Sequence, residues 1–190
     1  MSRVICVPQQ VLPTQLERGA VYYSMYTHSQ RQDVGSVATG LLDDLEFKGV
    51  YPSLAAWDFV TFALSVGAAD LAVPRGTSAD GWTRIIELDV ALQNPAPFML
   101  KQRHIEEMLR LLTGDFWHLR FLDGGRARPQ STAPARFDAD CVSLLSGGMD
   151  SLVGAIDLTA MGRKPLFVSQ LVKGNKEDQH YFARKLAQRF

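Results

Sequence analysis

The stretch from Cys141 to Met161 narrows the possible folds more than any other part of this chain. Cys141–Leu145 (CVSLL) is an unbroken apolar run, the pattern of a strand buried on both faces of a parallel sheet. Ser146-Gly147-Gly148-Met149-Asp150-Ser151 follows at once, and then Leu152, Val153, Ile156, Leu158 and Met161 recur at helical spacing until Gly162. A second apolar run, Pro165–Val172, and a second amphipathic stretch, Asp178–Phe190, come next; Tyr181, Phe182, Leu186 and Phe190 are candidates for its buried side. Strand, helix, strand, helix in that order predicts the start of a doubly wound α/β domain.

Upstream, Asp123–Asp140 is rich in Gly, Pro, Ser and Ala and holds no Leu, Ile or Val to anchor it to a core, so it reads as a linker. The 190 residues, 46% hydrophobic, thus divide into a first domain over 1–124, a linker over 125–138 and the α/β portion over 139–190. In the first domain Arg3–Val7 and Val21–Tyr26 read as strands. Leu54, Trp57, Phe59, Val60, Phe62, Ala63, Leu64 and Val66 predict a mostly buried helix capped by Ser53. Trp82–Leu92 sets Ile86, Leu88 and Val90 on one face and Glu87 and Asp89 on the other, as in a half-exposed antiparallel strand. Met99–Leu112 returns to helical spacing before Gly114, and Phe116–Leu122 alternates again. This mixture predicts an α+β domain. His104 and His118 lack partners at metal-ligand spacing, and Trp57, Trp82 and Trp117 read as structural. The Val73-Pro74-Arg75-Gly76 turn offers one fixed cation, either an exposed turn arginine or a binding group.

Twenty Lys and Arg balance twenty Asp and Glu, which disfavours a general affinity for nucleic acid or an anionic membrane. The distribution is uneven: residues 1–160 carry 13 basic and 18 acidic side chains, residues 161–190 seven and two. The basic end either meets an anion or solvates the outer face of a helix. Cys6 and Cys141 stand far apart in apolar stretches and read as buried thiols in a reducing cytoplasm. No window reaches the roughly 18 uninterrupted apolar residues of a membrane helix, and the start has no leader pattern, so a soluble, cytoplasmic protein is expected.

The Gly-Gly turn is where chemistry concentrates. Two glycines let the backbone turn sharply and come close to an anion, while the first N–H groups of the following helix point partial positive charge into the same space. Asp150 can cap the helix or help hold a magnesium ion, and the Ser151 hydroxyl can cap or touch a phosphate oxygen. Lys173 and Lys176, beyond the second strand, either reach the phosphates or lie in a solvated loop. Neither GxxxxGK[ST] nor GxGxxG is present, which excludes a Walker-type loop and a dinucleotide fingerprint.

Ser146–Ser151 (SGGMDS) resembles the SGGxDS signature of the PP-loop ATP pyrophosphatases. Within that superfamily, SLLSGGMDSLVGAIDL followed by FVSQLVKGNKEDQHYFARKLA is most similar to the QueC family of 7-cyano-7-deazaguanine synthases. The stretches ADLAVPRG, WTRIIELDVAL and LLTGDFWHLRF resemble the extra N-terminal domain of the QueC-like proteins of the four-gene Qat anti-phage defence system. The resemblance implies a PP-loop sheet of the adenine nucleotide alpha hydrolase type. It implies ATP and Mg²⁺ as cofactors, with Ser146, Gly147, Gly148, Met149, Asp150, Ser151 and Lys173 on the nucleotide, Asp150 and Ser151 catalytic, and Asp150 on the metal.

The reaction so implied is adenylation, in which ATP gives AMP to an acceptor oxygen, pyrophosphate leaves, and a nucleophile displaces AMP. QueC proteins act on 7-carboxy-7-deazaguanine, and the defence-associated relatives imply attachment of a deazaguanine to the N-terminus of a partner protein from the same operon. A complete PP-loop sheet needs about five parallel strands, and QueC adds an acceptor pocket and a four-cysteine zinc cluster. The expectation is therefore a truncated domain, inactive by itself, with any zinc confined to a missing C-terminal part. Neither membrane nor direct nucleic-acid contact is implied. Two alternatives use the same residues: another PP-loop enzyme, amide-forming or tRNA-thiolating, and a scaffold that holds nucleotide while Arg75 and the strand at Trp117 present a binding surface.

Overall fold

The computed structural model describes residues 2–130, 135–169 and 176–189. The chain forms two compact units, Met1–Pro134 and Ala135–Phe190. The first is built on a sheet of β1 (Ser2–Val7), β2 (Ala20–Met25), β3 (Gly35–Val37), β4 (Ile85–Ala91) and β5 (Phe116–Leu122), in the order β3-β2-β1-β4-β5. Every pairing is parallel. α1 (Leu41–Phe47) and α2 (Leu54–Ala72) connect β3 to β4, and α3 (Ala96–Thr113) connects β4 to β5. The register aligns Val4 with Leu88 and Leu88 with Leu119, a buried row that packs in one cluster with Trp57 and Phe62 of α2 and Leu109 of α3. On the other face Ile5, Val7, Tyr22 and Ala91 are covered by loop residues Leu12, Leu16 and Val34.

This unit is therefore α/β, and the expected α+β arrangement with an antiparallel Trp82–Leu92 is corrected. β4 is an interior strand flanked by β1 and β5. Its alternation arises because Asp89, which reads as solvent-facing, is buried between two guanidiniums, accepting from Arg3 Nη2 at 2.9 Å and from Arg120 Nε and Nη2 at 2.7 and 2.8 Å. The helical pattern that would announce parallel crossovers is missing because residues 8–19 and 26–34 join β1 to β2 and β2 to β3 without an α-helix. The short strand β3 and helix α1 were not anticipated.

The Ser53 cap forms as expected: its hydroxyl accepts from the Ala56 N–H at 3.2 Å. Yet α2 buries polar residues and exposes apolar ones. Asp58 accepts from the Gln93 and Asn94 N–H groups at 2.9 Å each, beyond the end of β4, and Thr61 bonds the Tyr26 hydroxyl at 2.6 Å, whereas Phe59 and Leu71 are exposed. By length and composition α2 could cross a membrane, the only such helix among the described residues; here Trp57, Phe62, Ala68 and Ala69 pack it into the core.

Part of the expected linker belongs to the first unit. Gly125 donates its N–H to Leu92 O at 3.0 Å, Arg126 O accepts from Trp57 Nε1 at 2.8 Å, and Arg128 Nη1 donates to Pro52 O at 3.0 Å. Residues 131–134 lie outside the described residues.

In the second unit β6 (Cys141–Leu144), α4 (Met149–Ala160), β7 (Pro165–Val168) and α5 (Lys176–Arg189) reproduce the expected strand-helix order, with β6 and β7 parallel. Leu145, Ala155 and Leu186 form the core with Leu152, Phe167 and Phe182. Both helices contribute to this one cluster, so β6 is not buried on two faces: Val142 and Leu144 are 67% and 73% exposed. Tyr181, expected inside, is exposed, Phe190 lies outside the described residues, and Cys141 is only half-buried.

Candidate functional site

The Ser146–Ser151 segment forms the expected strand-to-helix turn. Leu145 ends the strand side by donating its N–H to Val168 O at 2.9 Å, and α4 begins at Met149 after Gly148, which occupies the cap position. Gly147 has φ +91°, the left-handed region that favours glycine. Gly148, at φ −89° and ψ 165°, is in an extended conformation open to any residue, and a Cβ there would meet only Ser146 Oγ, at 3.6 Å. The local fold thus requires glycine at 147 but not at 148. The bare backbone at 148 leaves room for a group approaching from outside.

The two serines brace the turn. Ser151 Oγ donates to Gly148 O at 2.9 Å and accepts from the Ser146 N–H at 3.2 Å, and the two hydroxyls lie 3.1 Å apart. Ser146 Oγ also accepts from the Gly148 N–H at 3.4 Å. Ser151 therefore does not cap the helix as an acceptor; it ties the helix's first turn back to the strand end. No side chain caps α4, whose first intrahelical bond runs from the Leu152 N–H to Gly148 O. The N–H groups of Met149, Asp150 and Ser151 are the donors that a helix start leaves open. Asp150 stands exposed in the first turn and makes no hydrogen bond or ion pair among the described residues, so it is not the helix cap either.

Two residues that the sequence reading overlooked hold the base of the turn. Ser169 Oγ donates to Leu145 O at 2.7 Å, and Gln179 Nε2, from α5, donates to Ser146 O at 3.0 Å. Gln179 is 5% exposed. A signal for it existed: Gln179, Phe182 and Leu186 follow the i, i+3, i+7 spacing of one helix face, which puts a glutamine where an apolar residue belongs.

Of the expected site residues, Ser146, Gly147, Gly148, Met149, Asp150 and Ser151 are brought together. Lys173 lies outside the described residues, as does the side chain of Lys176. Ser146, Gly148, Met149 and Asp150 are exposed, so the turn presents an open surface. In the first unit, the two residues that the sequence offers as a binding surface are engaged within the fold. Arg75 is committed to Asp115, donating from Nη1 and Nη2 at 2.9 and 3.1 Å, and to the carbonyls of Trp82 and Thr113; Trp117 is buried with Nε1 donating to Thr113 Oγ1 at 3.0 Å. Of the surface that the scaffold alternative assigns to these two residues, Trp117 contributes no exposed ring, while Arg75 stays 30% exposed. No group of three or more metal-ligating side chains occurs among the described residues. Compared with protein-family profiles, curated proteins and solved structures, the chain matches none.

Proposed function

We propose that Ser146–Ser151 is the ATP-binding loop of a PP-loop adenylating enzyme of the QueC-like type, working in the cytoplasm. The supporting observation is the turn itself: a left-handed Gly147, a bare Gly148 and open N–H groups at the start of α4, all following a parallel strand. An acceptor carboxylate oxygen attacks the α-phosphorus of ATP, the bond from that phosphorus to the bridging oxygen breaks, and pyrophosphate departs with the electron pair. The N–H groups stabilise the charge that develops on the leaving group without reorganising. Asp150, free and exposed at the helix start, suits a magnesium ion shared with the phosphates, since such ions take one or two carboxylates and complete their shell with phosphate and water. When bound, the ion neutralises charge on pyrophosphate.

The acceptor on this reading is 7-carboxy-7-deazaguanine, the product serves anti-phage defence through modification of a protein partner from the same operon, and the first unit recognises that partner. By the same resemblance, Lys173 is the cation expected to meet the phosphates. Calorimetric titration of the chain with ATP and with inorganic pyrophosphate, each with Mg²⁺, tests the loop assignment. Saturable binding that is lost in Gly148→Val at unchanged melting temperature is expected; no binding by the wild-type chain overturns it. The acceptor is tested, in a version of the protein carrying a complete PP-loop sheet, by AMP formation dependent on 7-carboxy-7-deazaguanine, which Asp150→Asn should lower by about a hundredfold. AMP formation that depends on a tRNA or another carboxylate would reassign the reaction within the superfamily.

A further inference from the structure

We propose that Gln179 is a positioning residue that decides which polar group the Ser146–Gly147 peptide presents to an anion. The inference rests on the ATP-loop reading and adds to it a residue outside the motif. A trans peptide points its C=O and its following N–H in opposite directions. The Leu145–Ser146 peptide obeys this: Leu145 O faces Ser169 Oγ at 2.7 Å, and the Ser146 N–H turns the other way, to Ser151 Oγ. One residue on, Ser146 O accepts from Gln179 Nε2 at 3.0 Å. Gln179 is buried on α5, so Ser146 O faces inward and the Gly147 N–H faces outward, on the exposed side of the turn.

The opposite orientation is accessible to this peptide because it is followed by glycine. Gly147 sits at φ +91° and, lacking a Cβ, tolerates either sign of φ, so steric constraint does not hold the peptide in one sense. A reversed peptide would put a carbonyl oxygen where phosphate oxygens approach and would repel them. The contact is chemically one-sided as well. A carbonyl oxygen only accepts, so the glutamine must turn its NH₂ toward Ser146, and neither a carboxylate nor an apolar side chain of the same length can take its place. Gln179 thus acts through Ser146 and Gly147 and does not itself touch the nucleotide.

The test compares wild type, Gln179→Met and Gln179→Glu, using inorganic pyrophosphate with Mg²⁺ as the probe and the Gly147 amide resonance of the ligand-free chain as a second readout. Methionine keeps the length and packing without a donor; glutamate keeps the shape and sets a carboxylate against the carbonyl. In both variants pyrophosphate binding should weaken about tenfold, the scale of one oriented hydrogen bond, and the Gly147 resonance should shift or broaden. Leu186→Ala, which removes packing from the same helix, should lower the melting temperature and leave that resonance in place. If Gln179→Met does not fold, Gln179→Glu alone is decisive. Wild-type chain that does not bind pyrophosphate overturns the loop assignment itself. Wild-type binding that the folded variants retain in full, or a Gly147 resonance that they leave unmoved, overturns the positioning role.

Discussion

Asp115 is the residue on which one end of the first unit turns. Fully buried, it accepts from the Arg84 backbone N–H at 2.9 Å, from Arg84 Nε and Nη2 at 3.1 and 2.6 Å, and from both terminal nitrogens of Arg75. Burial by itself would raise its pKa, but the Arg84 side-chain and backbone bonds and the two guanidinium charges outweigh it and hold the carboxyl below its ordinary value. Its stabilising contribution is therefore complete above the unfolded pKa of about 4 and is lost as the pH falls through the lower folded value. Asp115→Asn should cost about 1.5–3 kcal/mol at neutral pH, since the buried Arg84 guanidinium then keeps only the half-exposed Asp70 as a counter-charge. Urea unfolding at pH 7 and below pH 4 checks both points: the gap between wild type and variant should narrow on acidification, and a constant gap would refute the ionic account. The two loop glycines separate in the same way. Gly147→Ala should destabilise by about 1–2 kcal/mol because of its left-handed backbone. Gly148→Ala should leave melting unchanged while weakening pyrophosphate binding, and equal losses of stability in the two variants would remove the case for ligand approach at 148.

Among the elements, β5 shows how an exposed sheet edge is closed. It is the last strand of its sheet, and at its centre the Leu119 N–H donates to Glu106 Oε1 at 2.8 Å while Leu119 O accepts from Gln102 Nε2 at 2.9 Å. Both side chains come from α3, which spends polar residues on the edge that another strand would otherwise pair with. Replacing Gln102 and Glu106 together by alanine should speed the growth of light scattering just below the melting temperature. If scattering does not change, the clasp does not guard the edge. α2 makes a related use of polarity, since Asp58 serves the two N–H groups beyond β4 and displaces apolar residues such as Phe59 to the surface. Apolar spacing alone suggests the reverse, because it cannot register a carboxylate whose partners lie more than thirty residues away.

For the whole molecule, the division into two units sits within the Gly- and Pro-rich stretch, but the first unit extends past Asp123. Gly125 lies so close to the end of β4 that a Cβ there would come within 2.3 Å of the Leu92 carbonyl carbon and 2.5 Å of the Gln93 nitrogen. Gly125→Ala should therefore destabilise the unit by about 1–3 kcal/mol. Residues 1–130 should fold alone and melt several degrees above residues 1–124, which lack the Arg126 acceptor for Trp57 Nε1. Equal melting temperatures would return residues 125–128 to the status of a free linker.

What the sequence determined by itself is local in origin. The strand-turn-helix at Ser146–Ser151, the cap at Ser53 and the Gly114 stop of α3 depend on backbone φ, on missing side chains and on hydroxyls reaching N–H groups a few residues away, all of which neighbouring residues carry. Tertiary structure alone decided that the first sheet is parallel, that Arg75 is consumed by Asp115, that one face of β6 stays uncovered, and that Gln179 supports the Ser146 carbonyl. In each of these a polar or apolar group takes its meaning from a partner remote in sequence, and the free energy of burying it is settled only when that partner arrives.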